Sequence, residues 1–276
     1  MPTSNADEKA HITDDLIFYA GFEGTLEAQV YVKDGDGRVY TADTPARKKL
    51  EPGMHIPEVS IASKAGRHGD ALRFAAKSDT VLCYKASVNG MQPTDHWSGT
   101  VSLWLRLSPD PDLPAGYCDP LQITSKKWND AAFFVDFDQT LPRDFRLGAF
   151  SDHDFWNPSQ IKWDDIPAQD RPMIVVKPPS FSREKWTHVA FTFENLNSTR
   201  GDAASTHLYI DGKLQGSLHK PMQFTWSGTE SREAIMMLGI NYVGDMDELA
   251  IYKRALSAEQ IQQLFMHPEE YAGRPR

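Results

Sequence analysis

Long apolar runs are missing from this chain of 276 residues. None approaches the roughly 20 residues that a membrane-spanning helix needs, so no membrane span is expected. The opening stretch, Met1 to Lys9, is polar and lacks the apolar core of a secretory signal. On that count the chain is either cytosolic or has lost its signal. Basic charge is also short: 29 Lys and Arg stand against 38 Asp and Glu, a formal charge of −9. An acidic surface repels phosphate backbones, which excludes nucleic acid as an expected partner. There are only two cysteines, Cys83 and Cys118. A single disulfide and two buried thiols both remain open. No Cys/His cluster has zinc spacing, no internal repeat is visible, and helix-period patterning is scarce, which argues against a parallel α/β architecture.

What fills the chain instead is period-2 alternation. In Thr100 to Ser108, Val101, Leu103, Leu105 and Leu107 share one face, while Ser102, Trp104, Arg106 and Ser108 share the other. Thr187, Val189, Phe191 and Phe193 alternate in the same way, as do Ala131, Phe133, Val135 and Phe137, and Leu16, Phe18, Ala20 and Phe22. Two alternating runs, His207 to Ile210 and Lys213 to Gln215, flank Asp211-Gly212, which predicts a type I′ hairpin because both turn positions need positive φ. A hydrophobic content of 40% is enough for a sizeable interior. Many short strands with turn signals predict an all-β, two-sheet antiparallel sandwich or barrel. One helix stands out near the end. Ser257 and Gln260 have capping-box spacing, and Ile261, Leu264 and Phe265 form an apolar stripe, so a helix of about two turns should pack on the sandwich. The expected division is a loose tail over residues 1–13, one domain over 14–268 and a C-terminal tail over 269–276.

Six stretches, in order, resemble the laminin-G-like jelly-roll family of the concanavalin A-like lectin/glucanase superfamily. They are FEG at 22–24, GDALRF at 69–74, WTHVAF at 186–191, LYIDGK at 208–213, LGI at 238–240 with GDMDEL at 244–249, and IYKRALS at 251–257. The resemblance implies a jelly roll over about residues 15 to 266, a non-catalytic module that binds a glycan, and a secreted or periplasmic setting. A structural calcium ion (Ca2+) is implied too, with Glu23 and Asp247 brought together by neighbouring terminal strands and backbone carbonyls near Gly69 and Asp70 completing the oxygen set. The alternative is that Asp247 caps a turn and Glu23 pairs with a lysine.

Two further sites can be drawn from the residues. Trp104 and Arg106 share a polar strand face, and the long segment 151–172 brings Asp152, His153, Asp154, Trp156 and Trp163. Aromatic rings stack on sugar C–H faces while charged groups bind hydroxyls. A glycan cleft is therefore expected between the strand face and the loop, unless the loop simply covers Trp104. Asp136 and Asp138 stand two apart on a strand, about 6.6 Å along it, a spacing near those of glycosidases. The Glu-x-Asp-x-x-Glu pattern of the glucanase relatives is absent. A glycan-cleaving enzyme and a structural, protein-adhesive domain are the competing functions.

Overall fold

The computed structural model describes residues 12–43, 49–199, 204–226 and 233–271. They form a jelly-roll sandwich of two antiparallel sheets. The first sheet contains β1 (Leu16–Ala20), β2 (Val30–Tyr31), β5 (Val59–Ala62), β6 (Ala71–Phe74), β8 (Trp97–Arg106), β13 (Thr187–Leu196), β14 (Ser205–Ile210), β15 (Lys213–His219) and β17 (Gly244–Tyr252). Its order is β15-β14-β13-β8-β17-β1-β2, with β6 also paired to β17 and β5 to β6. The second sheet contains β3 (Tyr40–Asp43), β4 (Leu50–Pro52), β7 (Thr80–Lys85), β9 (Cys118–Thr124), β10 (Ala132–Phe137), β11 (Phe145–Phe150), β12 (Met173–Val176) and β16 (Ile235–Ile240). It runs β12-β11-β10-β9-β16-β7-β3-β4.

The alternation read from sequence builds the core. Val101, Leu103 and Leu105 on β8 meet Phe133, Val135 and Phe137 on β10, with Val189, Phe191 and Phe193 beside them. Burying each such ring or aliphatic group stabilises the fold by roughly 1.5–3 kcal/mol. In β1 the pattern breaks once. A register shift between Leu16 and Phe18 turns Leu16 to the outer cluster, so Phe18, Ala20 and Phe22 enter the core without it. The hairpin forms as expected: Ile210 pairs with Lys213, and Asp211 and Gly212 have φ of 48° and 73°.

The C-terminal helix spans Ala258–Met266, with the Ser257–Gln260 capping box in place. Its Ile261 and Leu264 join Tyr19, Tyr209, Tyr252 and Ile12 on the outer face of the first sheet. Ile12 is fully buried there, so the fold begins before the expected boundary at Asp14. Residues 1–11 and 272–276 of the expected tails lie outside the described residues. Cys83 and Cys118 do not form a disulfide with each other. Alternation separates them: Cys118 points into the core, and Cys83 into a cluster on the outer face of the second sheet.

Candidate functional site

The same alternation that sends Phe133 and Val135 inward sends Phe134 and Asp136 to the outer face of the second sheet. Gln122 on β9 and Arg146 on β11 face the same way, because Leu121, Ile123, Phe145 and Leu147 fill the core. Asp136 and Arg146 are cross-strand partners. The guanidinium holds both carboxylate oxygens, with Nε donating to Oδ1 at 2.8 Å. Burial pushes the Asp136 carboxyl above the ordinary carboxylate range, and Arg146 opposes that shift. Arg146 also lies over the Tyr117 ring, 4.9 Å from its centroid. The Gln122 Nε2 is buried with no hydrogen-bond partner among the described residues. These groups floor a hollow of about 440 Å³, whose rim includes Trp128 and Trp163. The two indoles stand perpendicular, with centroids 5.0 Å apart. A hollow of this size with a few convergent polar groups suits a small polar ligand.

Segment 151–172 is folded down on this sheet. Trp156 packs its ring against Phe150 at 5.2 Å and donates from Nε1 to the Asn129 carbonyl at 2.9 Å. Trp163 lies 6.0 Å from Phe150 and is capped by Arg171 at 4.2 Å. Asp152 accepts from Lys126 Nζ at 2.6 Å and from Thr225 Oγ1 at 2.9 Å. A second, larger hollow of about 910 Å³ opens here, lined by Lys126, Trp128, Asp152, His153, Asp154 and Phe155. Of the loop residues expected at a site, Asp152, His153 and Asp154 therefore line one hollow and Trp163 the other, while Trp156 anchors the loop.

Trp104 and Arg106 lie elsewhere, and the cleft expected between them and the loop does not form. Trp104 is on the opposite sheet and only 3% exposed. What covers it is the C-terminal helix, not the long loop: Phe265 stacks on the indole at 5.9 Å and 24°. His188 lies 4.9 Å away on one side, and the Arg67 guanidinium sits 4.9 Å from the ring. Arg106 donates to Asp245 Oδ2 at 2.7 Å and lies over Trp186. Burial alone would raise the Asp245 carboxyl, and Arg73 and Arg106 together bring it below its ordinary value. Both expected ligand groups are thus spent on packing and ion pairing. Sequence reasoning missed Trp128, Tyr117, Gln122, Arg146 and Phe155. The available signal was polar Gln122 and Asp136 at outward positions of otherwise apolar strands, and Trp128 at the turn that joins them.

Glu23 and Asp247, the carboxylates expected at a cation site, both meet the loop that precedes β6. One edge of β17 belongs to β6 over Gly244–Met246 and to β1 over Leu249–Tyr252. At the handover, β17 carries an irregularity between Asp247 and Ala250, where Glu248 adopts φ 54°. This bulge turns Asp247 and Glu248 away from the core, while Met246 and Leu249 both enter it. Glu23 arrives from the end of β1, and the loop before β6 wraps over both carboxylates. Glu23 Oε2 accepts the Asp70 amide at 3.1 Å, and Asp247 Oδ2 accepts the amides of Arg67 at 2.6 Å and His68 at 3.1 Å. Asp247 thus caps the loop turn, as one half of the alternative drawn from sequence has it, while the partner of Glu23 is the Asp70 amide and not a lysine. Burial, with Glu248 adding to it, pushes the Asp247 carboxyl up to about 8.

Peptide oxygens crowd the same place. A Cβ on Gly66 would stand 2.1 Å from the Asp70 carbonyl, 2.6 Å from the His68 carbonyl and 2.7 Å from Asp247 Oδ2. One on Gly69, at φ 60°, would meet Glu23 Oε2 at 2.1 Å. Carboxylates and carbonyls are the oxygen donors that suit a hard dication, although here backbone amides already donate to Glu23 Oε2 and to both oxygens of Asp247. This oxygen set does not rest on side chains alone. Among the described residues, the group of three or more His, Cys, Asp or Glu side chains close enough to share an ion is His267, Glu269 and Glu270, at the exposed end of the C-terminal helix.

Two antiparallel sheets packed face to face define a jelly-roll β-sandwich. The chain belongs to the concanavalin A-like lectin/glucanases superfamily, whose laminin G family model matches residues 86–262. No curated protein has a sequence close enough to match the chain. Among solved structures, it resembles domain 4 of an extracellular arabinanase from Geobacillus stearothermophilus in complex with arabinotriose. That likeness has 19% identity and a TM-score of 0.53, over 91% of this chain and 98% of that one. The binding domain of botulinum neurotoxin DC, in complex with SialylT, matches at 13% identity and a TM-score of 0.57, over 92% of this chain and 52% of that one. The ligand-binding domain of botulinum neurotoxin serotype D, in complex with N-acetylneuraminic acid, matches at 13% identity and a TM-score of 0.58, over 97% and 56%. This chain spans about half the length of the toxin domains. At these identities the likeness establishes the shared fold. No helix among the described residues is long and apolar enough to cross a membrane.

Proposed function

We propose that this protein is a non-catalytic glycan-binding module whose ligand sits on the outer face of the second sheet. The observation that carries this is the pair of perpendicular indoles, Trp128 and Trp163, above a polar floor of Gln122, Asp136 and Arg146. Indole faces bind the C–H faces of a sugar, and the floor offers donors and acceptors for its hydroxyls. The buried Gln122 Nε2 is a donor in need of a partner, and a ligand hydroxyl would remove the cost of leaving it unsatisfied. Neighbouring structures with this fold hold arabinotriose and N-acetylneuraminic acid, which supports the same class of ligand.

A binding role fits the carboxylates better than hydrolysis does. Asp136 lines the hollow but is committed to Arg146, while Asp138 accepts the Asp144 amide at 3.0 Å in the turn after β10. The pair drawn from sequence is split between two jobs, whereas glycosidases need two carboxyls flanking one bond. The cradle of Glu23, Gly69, Asp70 and Asp247 would hold a calcium ion that clamps the first and last strands, and the setting would be secreted or periplasmic. Isothermal calorimetry against a neutral and acidic oligosaccharide panel tests the central assignment. Trp128→Ala should weaken binding by about 1–3 kcal/mol, taking a base–aromatic stack as the analogue. An absence of binding across the panel, or full affinity after Trp128→Ala and Trp163→Ala, would remove it.

A further inference from the structure

The two hollows share one residue. Trp128 sits at the turn between β9 and β10 with 40% of its surface exposed, and it lines both the Gln122–Arg146 hollow and the larger one beside it. A monosaccharide in the first hollow would leave the second unused. Phe155, which also lines the second, is 44% exposed. It stands on the short helical turn His153–Trp156, where its amide donates to the Asp152 carbonyl at 2.9 Å. Asp152 is fixed in turn by Lys126 and Thr225, and Trp156 by Phe150 and Asn129. A large ring held out to water on so tied a segment is a preformed contact surface, with little ordering entropy left to lose on binding.

The charge is as informative as the shape. Each hollow carries three aspartates: Asp119, Asp136 and Asp164 in the first, Asp130, Asp152 and Asp154 in the second. The cations are fewer. Arg146 is committed to Asp136 and Lys126 to Asp152 and Asp130, which leaves Lys127 as the other cation of the second hollow against its three aspartates. An anionic sugar would enter a field of its own sign, on a chain whose formal charge is already −9.

Building on the glycan-binding assignment above, we infer that the ligand is an extended, uncharged oligosaccharide. It runs from the Gln122–Arg146 hollow across Trp128 to Phe155. Its subsites are linked, so each added sugar binds in an already tethered chain.

Calorimetry with neutral arabino-, xylo- and gluco-oligosaccharides, from disaccharide to hexasaccharide, tests this beside sialyllactose. Affinity for the bound series should climb by about tenfold or more with length. Phe155→Ala should erase that gain while leaving disaccharide affinity within about twofold, and its exposure means that the melting temperature should barely move. Trp163→Ala should weaken every length. Affinity that is flat with length, or a hexasaccharide indifferent to Phe155→Ala, overturns the extended site. If Trp163→Ala still abolishes binding in that case, the glycan-binding assignment stands without it. Tighter binding of sialyllactose than of any neutral oligosaccharide overturns the charge argument. No binding by any member overturns both.

Discussion

His188 shows what the outer face of the first sheet demands of a single residue. It is fully buried between Ser102, 2.8 Å from its Nε2, and the Trp104 ring. Burial drives its pKa down to about 3. The folded state keeps the ring neutral, while the unfolded chain protonates it near the ordinary value of about 6.5. Between those limits the unfolded state binds more protons, so stability falls as pH falls. The cost is about 1.4 kcal/mol per pH unit below about 6.5. Denaturant melts at pH 7, 5 and 4 should show this slope, and His188→Gln should flatten it. An unchanged slope would place the acid sensitivity elsewhere. Trp104 belongs to the same cluster, so Trp104→Ala should cost about 3–5 kcal/mol of stability and leave glycan affinity unchanged. From sequence, alternation correctly put Trp104 on the outer face. It could not say that Phe265, far along the chain, would cover it.

Elements with local rules were the legible ones. The capping box, the apolar stripe of the C-terminal helix and the Asp211-Gly212 turn are short-range patterns, and the structure realises all three. Ser257 Oγ accepts the Gln260 amide at 3.3 Å. Ser257→Ala should therefore cost about 1 kcal/mol, lowering the melting temperature by about 2–4 °C for a chain of this size. Scanning calorimetry reads that directly, and an unshifted melt would mean that the helix is held by Ile261, Leu264 and Phe265 alone. Segment 151–172 was legible only as long and aromatic. Its docking depends on Phe150, Asn129 and Lys126, contacts made across the sheet that no local pattern encodes. For the same reason Trp128 was passed over: its partner Trp163 comes from that loop. The bulge at Glu248 was hidden as well, since a single inserted residue is indistinguishable from ordinary alternation until its partner strand is known.

At the scale of the whole molecule, the two proposed sites lie on opposite faces. The oxygen cradle belongs to the outer side of the first sheet, where β1, β6 and β17 meet. The aromatic groove belongs to the outer side of the second. The hydrophobic core between them is close-packed, so a change on one face does not reach the other unless the sandwich itself opens. Calcium should accordingly act on stability and not on recognition. An ion that binds only the folded state adds about 2.7 kcal/mol at a concentration of 100 times its dissociation constant, or about 5–10 °C in melting temperature. Protein first shown by atomic absorption to carry calcium should lose that increment on chelation and regain it on adding calcium back. Asp247→Asn should be indifferent to both treatments, because the carboxylate that closes the cradle over Arg67 and His68 is gone. Through all of this, oligosaccharide affinity at a temperature well below the melt should stay within about twofold. A melt unmoved by chelation would remove the calcium clamp. Affinity that collapses with chelation while the fold persists would place the ion at the groove and move the ligand site with it.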